Sequence, residues 1–136
     1  MNVREATVDD ASVLAELNRQ LIEDEGSSNQ MSVAELDARM NAWLRADYRA
    51  LLFTVDGVTV AYALFRPSED GIHLRQFFVV RAHRRRGFGL RAIDLVRERF
   101  VRRDMCLDLE VLIHNEGAIA FWRACGFREH GVSFRI

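Results

Sequence analysis

The sequence contains no lysine: all 19 of its basic residues are arginine, a bias that codon usage explains more simply than a functional preference for guanidinium. It has a single proline and 49% hydrophobic residues, the composition of a compact globular chain. No apolar run reaches the length of a membrane span, so no membrane partner is expected. Excess positive charge is also missing. With 20 acidic residues the net charge is −1, which excludes the broadly basic surface that binds nucleic acid. The two cysteines, Cys106 and Cys125, sit at no metal-ligand spacing with a histidine, so no metal is expected. The N-terminus lacks a charged-then-apolar export pattern, and the expectation is a cytoplasmic protein with reduced thiols. At 136 residues the chain is read as one domain, 1–136, with a homodimer the commonest assembly open to it.

What is present is a glycine-containing turn of unusual content. Arg84-Arg85-Arg86-Gly87-Phe88-Gly89 lies between the apolar run Phe77-Phe78-Val79-Val80 and a helical stretch from Leu90 to Val101. A strand that turns through two glycines into a helix leaves backbone N–H groups unpaired at the positive end of the helix dipole. Such a turn seats a phosphate. Charge is unevenly spread, with acids at Asp9, Asp10, Glu16, Glu23, Asp24 and Glu25 and arginines crowding positions 81–103. This segregation suits an anionic cofactor on one side and a cationic substrate on the other, although solvated helix faces account for most charge runs.

The periodicities predict an α/β (α+β) fold. Val3–Ala6 reads as a strand, and Thr7 with Asp10, then Ser32 with Glu35, supply capping-box signals for two helices. Asp56-Gly57 marks a hairpin between strands 50–55 and 58–65, and strand 72–80 completes an antiparallel meander. Helix 90–101, strand 106–112, helix 116–124 and a last strand near 128–136 follow, with strands 72–80 and 106–112 parallel. The expected architecture is a mixed sheet of about six strands flanked by four helices.

Gly87-Phe88-Gly89-Leu90-Arg91-Ala92 also fits the G-x-G-x-x-A pattern of dinucleotide-binding folds, with Asp108 at a suitable distance beyond it. That reading, an oxidoreductase, ranks third. Its βαβ unit would come first in the chain, whereas here an antiparallel meander does.

Arg84-x-x-Gly87-x-Gly89 resembles the Gln/Arg-x-x-Gly-x-Gly/Ala motif of the Gcn5-related N-acetyltransferase (GNAT) family. Leu109-Glu110-Val111-x-x-x-Asn115-x-x-Ala118-x-x-Phe121-Trp122-x-x-x-Gly126-Phe127 is similar to the family's second motif. The likeness runs from Val3 to the C-terminus in the matching element order. It implies a GNAT fold in which the amides of the Arg84, Arg85, Arg86, Gly87, Phe88, Gly89, Leu90 and Arg91 segment hold the pyrophosphate of acetyl-coenzyme A. Arginine adds bidentate phosphate contacts. Val79 and Val80, at the end of their strand, are expected to offer amides to the thioester carbonyl. Asn115 is expected to cap the last helix and contact the pantetheine arm, and Phe121 to pack on the cofactor or fill core.

Acetyl transfer to an amine requires a proton acceptor, because alkyl amines are protonated near neutrality. Glu110 resembles the catalytic glutamate of ribosomal-protein N-terminal acetyltransferases; a sheet-edge ion pair is the plain alternative. His73 is a second candidate, expected on one strand face with Arg75, Phe77 and Val79 while Gln76 points to the other. Trp122 departs from the tyrosine that relatives commonly place there, and an indole is no practical general acid. Water, Tyr62 or Cys125 would then serve the leaving thiolate, or the protein is a coenzyme A-binding sensor or assembly module without efficient catalysis. The implied reaction is direct transfer from acetyl-CoA to a primary amine, a small molecule or a peptide N-terminus, with acids near Glu23–Glu25 flanking the acceptor.

Overall fold

Thr7 and Asp10 close the first expected capping box: the Thr7 N–H donates to the Asp10 carboxylate at 2.8 Å, and the Asp9 N–H donates to Thr7 Oγ1 at 3.3 Å. The box caps a short 3-10 turn, Val8–Asp10, that runs into helix α1, Ala11–Glu25. Ser32 and Glu35 form the second box at the head of α2, Val33–Arg45. These reciprocal bonds satisfy N–H groups that a helix start would leave orphaned.

The computed structural model describes all 136 residues. Strands β1 (Asn2–Glu5), β2 (Arg49–Val55), β3 (Val58–Pro67), β4 (Gly71–Val79) and β5 (Cys106–Leu109) form one sheet in chain order. The β2–β3 turn has φ of 51° at Asp56 and 79° at Gly57, the positive values that the Asp-Gly pair was expected to supply. Helix α3 (Phe88–Phe100) joins β4 to β5, which run parallel, and α4 (Glu116–Ala124) follows. A single parallel pair beside an antiparallel meander is not a doubly wound dinucleotide fold, so the third reading fails on topology.

Each face of the sheet buries its own cluster. On one side Leu14 and Leu17 of α1 and Met40 of α2 cover Leu52, Tyr62, Leu64 and Phe78. On the other, Ala92, Ile93 and Val96 of α3 cover Phe53, Ala63, Phe65 and Leu74, with Phe77, Val79, Phe121 and Trp122 packed at the margin. Strand alternation assigns the residues to these faces.

Two expectations about strands are corrected. The segment 128–136 forms no strand, so the sheet has five strands rather than about six. Its apolar residues Val132, Phe134 and Ile136 are exposed at 74%, 94% and 125%, so pairing there would gain no burial to offset the ordering of the chain. The strand expected over 106–112 ends at Leu109, which leaves Glu110 just beyond it.

The face expected for His73 and Arg75 is corrected too. Leu64 lies opposite Gln76 but Phe65 lies opposite Leu74, so Arg75 is an extra residue bulged out of β4. A bulge resets the alternation. His73 and Arg75 therefore share the α1–α2 side with Gln76 and Phe78, while Phe77 and Val79 face α3 and α4.

Candidate functional site

β4 and β5 pair only from Gly71–Leu74 against Cys106–Leu109, and beyond that register they part. The gap opens into a cleft of about 920 Å³ that runs through the sheet from the α3–α4 side to the α1–α2 side. Of the residues singled out in the sequence, His73, Val79, Arg84, Arg85, Gly87, Phe88, Gly89, Leu90, Glu110, Asn115, Phe121 and Trp122 line it. Val80, Arg86 and Arg91 do not.

The ladder explains the difference between the two valines. The Val80 N–H donates to the Val60 carbonyl at 2.8 Å and is thereby used up. In an antiparallel ladder the next N–H groups along the strand alternate in direction, so those of Phe77 and Val79 turn toward the gap. Val80 is thus corrected as an amide donor and Val79 retained.

The turn after β4 is a run of unpaired donors. No backbone N–H from Arg85 to Leu90 finds an acceptor within the chain; the first helical bond of α3 comes from Arg91, to the Gly87 carbonyl at 3.1 Å. Arg85 (φ 65°) and Gly87 (φ 77°) are left-handed, a conformation that turns successive N–H groups into an anion-binding concavity. For arginine this backbone is strained, the kind of departure that clusters at functional sites. Gly89 completes the cradle: a Cβ there would meet the Phe121 ring at 3.0 Å and Val79 Cγ2 at 3.3 Å. A side chain there would have to push the Phe121 ring aside by a few tenths of an ångström, so glycine suits the close approach of α3 to Phe121 and β4.

The arginine run divides by role. Arg84 is committed within the protein, donating through Nε to the Val79 carbonyl at 2.9 Å and through its Nη atoms to Asp24 at the end of α1. Arg81 joins the same carboxylate at 2.8 Å. Burial works to raise the Asp24 carboxyl, but the hydrogen bonds from Arg84 and Arg81 prevail and hold it below the usual carboxylate range. Arg85 faces the cleft without an ion-pair partner.

The remaining candidates separate into exposed and packed groups. Glu110 is exposed at the cleft edge with no hydrogen-bond partner for its carboxylate. His73 Nδ1 lies 2.6 Å from Asp108 Oδ1 across the parallel pair, so its ring is oriented by its cross-strand neighbour. Asn115 caps α4 as expected, accepting from the Ala118 N–H at 3.2 Å. Trp122 stands in an aromatic cluster, edge-on to Phe77, Phe121 and Phe127 at 5.5, 4.9 and 5.2 Å between centroids. Phe121 stacks on Phe77 at 6.0 Å. The two residues considered as substitutes for a tyrosine acid lie outside the cleft lining. Tyr62 is fully buried, donates to Gln76 at 2.9 Å, and burial pushes its phenol far above the ordinary range; burial raises the Cys125 thiol as well.

On the α1–α2 side the cleft is lined by Glu25 and Arg75, both singled out in the sequence, and by Asn18, Arg39 and Trp43, which motif reading missed. Glu25 is open to solvent on its outer side, yet burial against the cleft, and then the charge of Asp24, push its carboxyl above the ordinary value. Asn18, a polar residue in the middle of the otherwise apolar stripe of α1 and 1% exposed in the fold, is the signal that could have pointed to this side of the cleft.

A sequence model of the acetyltransferase (GNAT) family matches residues 14–127. No curated protein sequence matches the chain. Among solved structures, the ribosomal-protein-alanine N-acetyltransferase from Brucella melitensis biovar Abortus 2308 superposes with a TM-score of 0.74 at 18% identity, covering 100% of this chain and 99% of its own. The aminoglycoside antibiotic 6'-N-acetyltransferase from Acinetobacter haemolyticus gives 0.80 at 18% identity, with 100% and 97% covered. An aminoglycoside N-acetyltransferase solved in complex with CoA gives 0.76 at 18% identity, with 99% and 93% covered. At these identities the likeness is one of fold. Together with the family match over most of its length, the splayed strands and the donor-lined turn, it identifies the chain as a member of the GNAT acetyltransferase family.

Proposed function

We propose that the protein transfers an acetyl group from acetyl-CoA to a primary amine directly, in a ternary complex. The observation that carries the reading is the run of unpaired N–H groups from Arg85 to Leu90 opening onto the gap between β4 and β5. Those amides and the Arg85 guanidinium would take the pyrophosphate, and the pantetheine arm would lie in the gap against Phe121. The CoA complex of a protein of the same fold supports this cosubstrate.

The chemistry follows from the groups at the other end of the gap. The Val79 N–H, which the register turns away from β3, would donate to the thioester oxygen as negative charge develops on it. Glu110, unpaired at the cleft edge, takes one proton from the acceptor's ammonium, directly or through water, and so frees the lone pair. The amine lone pair attacks the thioester carbon, the nitrogen of the tetrahedral adduct passes its surplus proton to water, and the adduct collapses with breakage of the C–S bond, so that the proton handed to water is the one the thiolate takes up. The departing thiolate takes its proton from water, since Tyr62 and Cys125 lie off the cleft and Trp122 supplies no acid. A thiol pKa of about 8.5 makes that departure feasible without an acid.

The test is acetylation of amino-acid, peptide, polyamine and aminoglycoside panels by the parent and by Glu110→Gln. The substitution is expected to lower kcat by about 100-fold or more with acetyl-CoA affinity unchanged. An active parent indifferent to the change removes Glu110 as the base, and tight acetyl-CoA binding without any product favours a coenzyme A-binding module.

A further inference from the structure

The cleft's acceptor side holds two arginines that nothing in the chain neutralises. Arg39 of α2 and Arg75, the residue bulged from β4, both line it and make no ion pair. Both stand over Trp43, with guanidinium carbons 4.5 and 4.8 Å from the ring centroid. Each is fixed by one neutral contact: Arg39 Nη2 donates to Asn18 Oδ1 at 3.1 Å, and Arg75 Nη1 to the Tyr48 hydroxyl at 3.3 Å. Arg39 Nε is buried and has no acceptor at all. That atom is sealed from the cleft, so a ligand would reach the Arg39 guanidinium through its Nη atoms.

Two of the three acids expected to attract a cationic acceptor are spent elsewhere. Glu23 pairs with Arg19, and Asp24 with Arg81 and Arg84. Glu25 shares the cleft but makes no ion pair with either guanidinium.

We infer that the amine acceptor carries a carboxylate, which Arg39 and Arg75 receive over the Trp43 ring. The acceptor class is a small amino acid or a compound built like one, with its amine directed toward the gap between β4 and β5. Planar guanidinium forks match a carboxylate bidentately, and bonds to charged groups discriminate sharply against a neutral analogue. The inference rests on the acetyltransferase reading, and the experiment separates the two.

Matched series of free amino acids, their carboxamides and the corresponding decarboxylated amines are assayed with acetyl-CoA. The free acids are expected to lead in kcat/KM by roughly 10- to 100-fold, mostly through KM. Arg75→Gln, at an exposed site, and Arg39→Gln, which keeps an N–H donor for Asn18, are each expected to erase that preference while leaving acetyl-CoA affinity unchanged. Equal or better use of the decarboxylated amines overturns the inference, as does a preference that survives both substitutions. If acetyl-CoA binds and no acceptor is acetylated, the acetyltransferase reading fails, and the anion site is judged by Trp43 fluorescence in a Trp122→Phe background. A response to the free acids and not to the amides then supports it; no response overturns it.

Discussion

Arg85 and Arg91 look alike in the sequence and stand in different places. Arg85 lines the cleft beside the unpaired amides, whereas Arg91 lies outside it. Arg85→Gln is therefore expected to weaken acetyl-CoA binding about tenfold, the worth of a charge-assisted hydrogen bond, and Arg91→Gln to leave it unchanged. Calorimetric titration of the two variants checks this; equal losses would mean that the run acts only as diffuse charge. Which arginines of the run reach the cleft was not readable from the sequence. Arg84 is withdrawn by Asp24, a partner 60 positions away that no local pattern announces.

At the level of elements, the Asp24 carboxylate ties the end of α1 to the turn after β4 through Arg84 and Arg81. Its folded pKa lies below the unfolded value, so its stabilisation is present in full above the ordinary carboxylate pKa of about 3.9 and is lost as pH falls through the folded value. Glu25 has the opposite sign. Its raised folded pKa costs stability near neutrality, and that cost is relieved as pH falls through the folded value. Asp24→Asn is accordingly expected to lower stability by about 1 kcal/mol at pH 7, a modest figure for a partly exposed pair, and to have little effect near pH 3. Thermal unfolding at the two pH values measures it, and an equal loss at both would exclude the ion pair as the cause.

Elements were legible in the sequence wherever local chemistry decides them: the two capping boxes, the Asp56-Gly57 turn and the Asn115 cap all form as read. What was not legible depends on pairing. The bulge at Arg75 moves that residue and His73 to the face opposite Phe77, and only the register against β3 reveals it. The extra strand expected near 128–136 had suitable alternation but no core to cover. Val80 lost its assigned part to a hydrogen bond with Val60 that spacing along one strand cannot show.

Across the whole molecule, one cleft joins two chemically distinct ends. Unpaired amides and Arg85 occupy the α3 side, and Arg39, Trp43 and Arg75 occupy the α1–α2 side, with Val79 and Glu110 also in the lining. The first end was written in contiguous residues and could be read as a motif. The second is assembled from α2 and the bulge of β4, so its parts meet only in the fold. The most direct measurement is mass-spectrometric detection of product after mixing the protein with acetyl-CoA and an amino-acid panel, alongside titration of released thiol. An N-acetylated product in one-to-one ratio with free thiol is the expected result; thiol release without any amide, or no affinity for acetyl-CoA, would contradict the account.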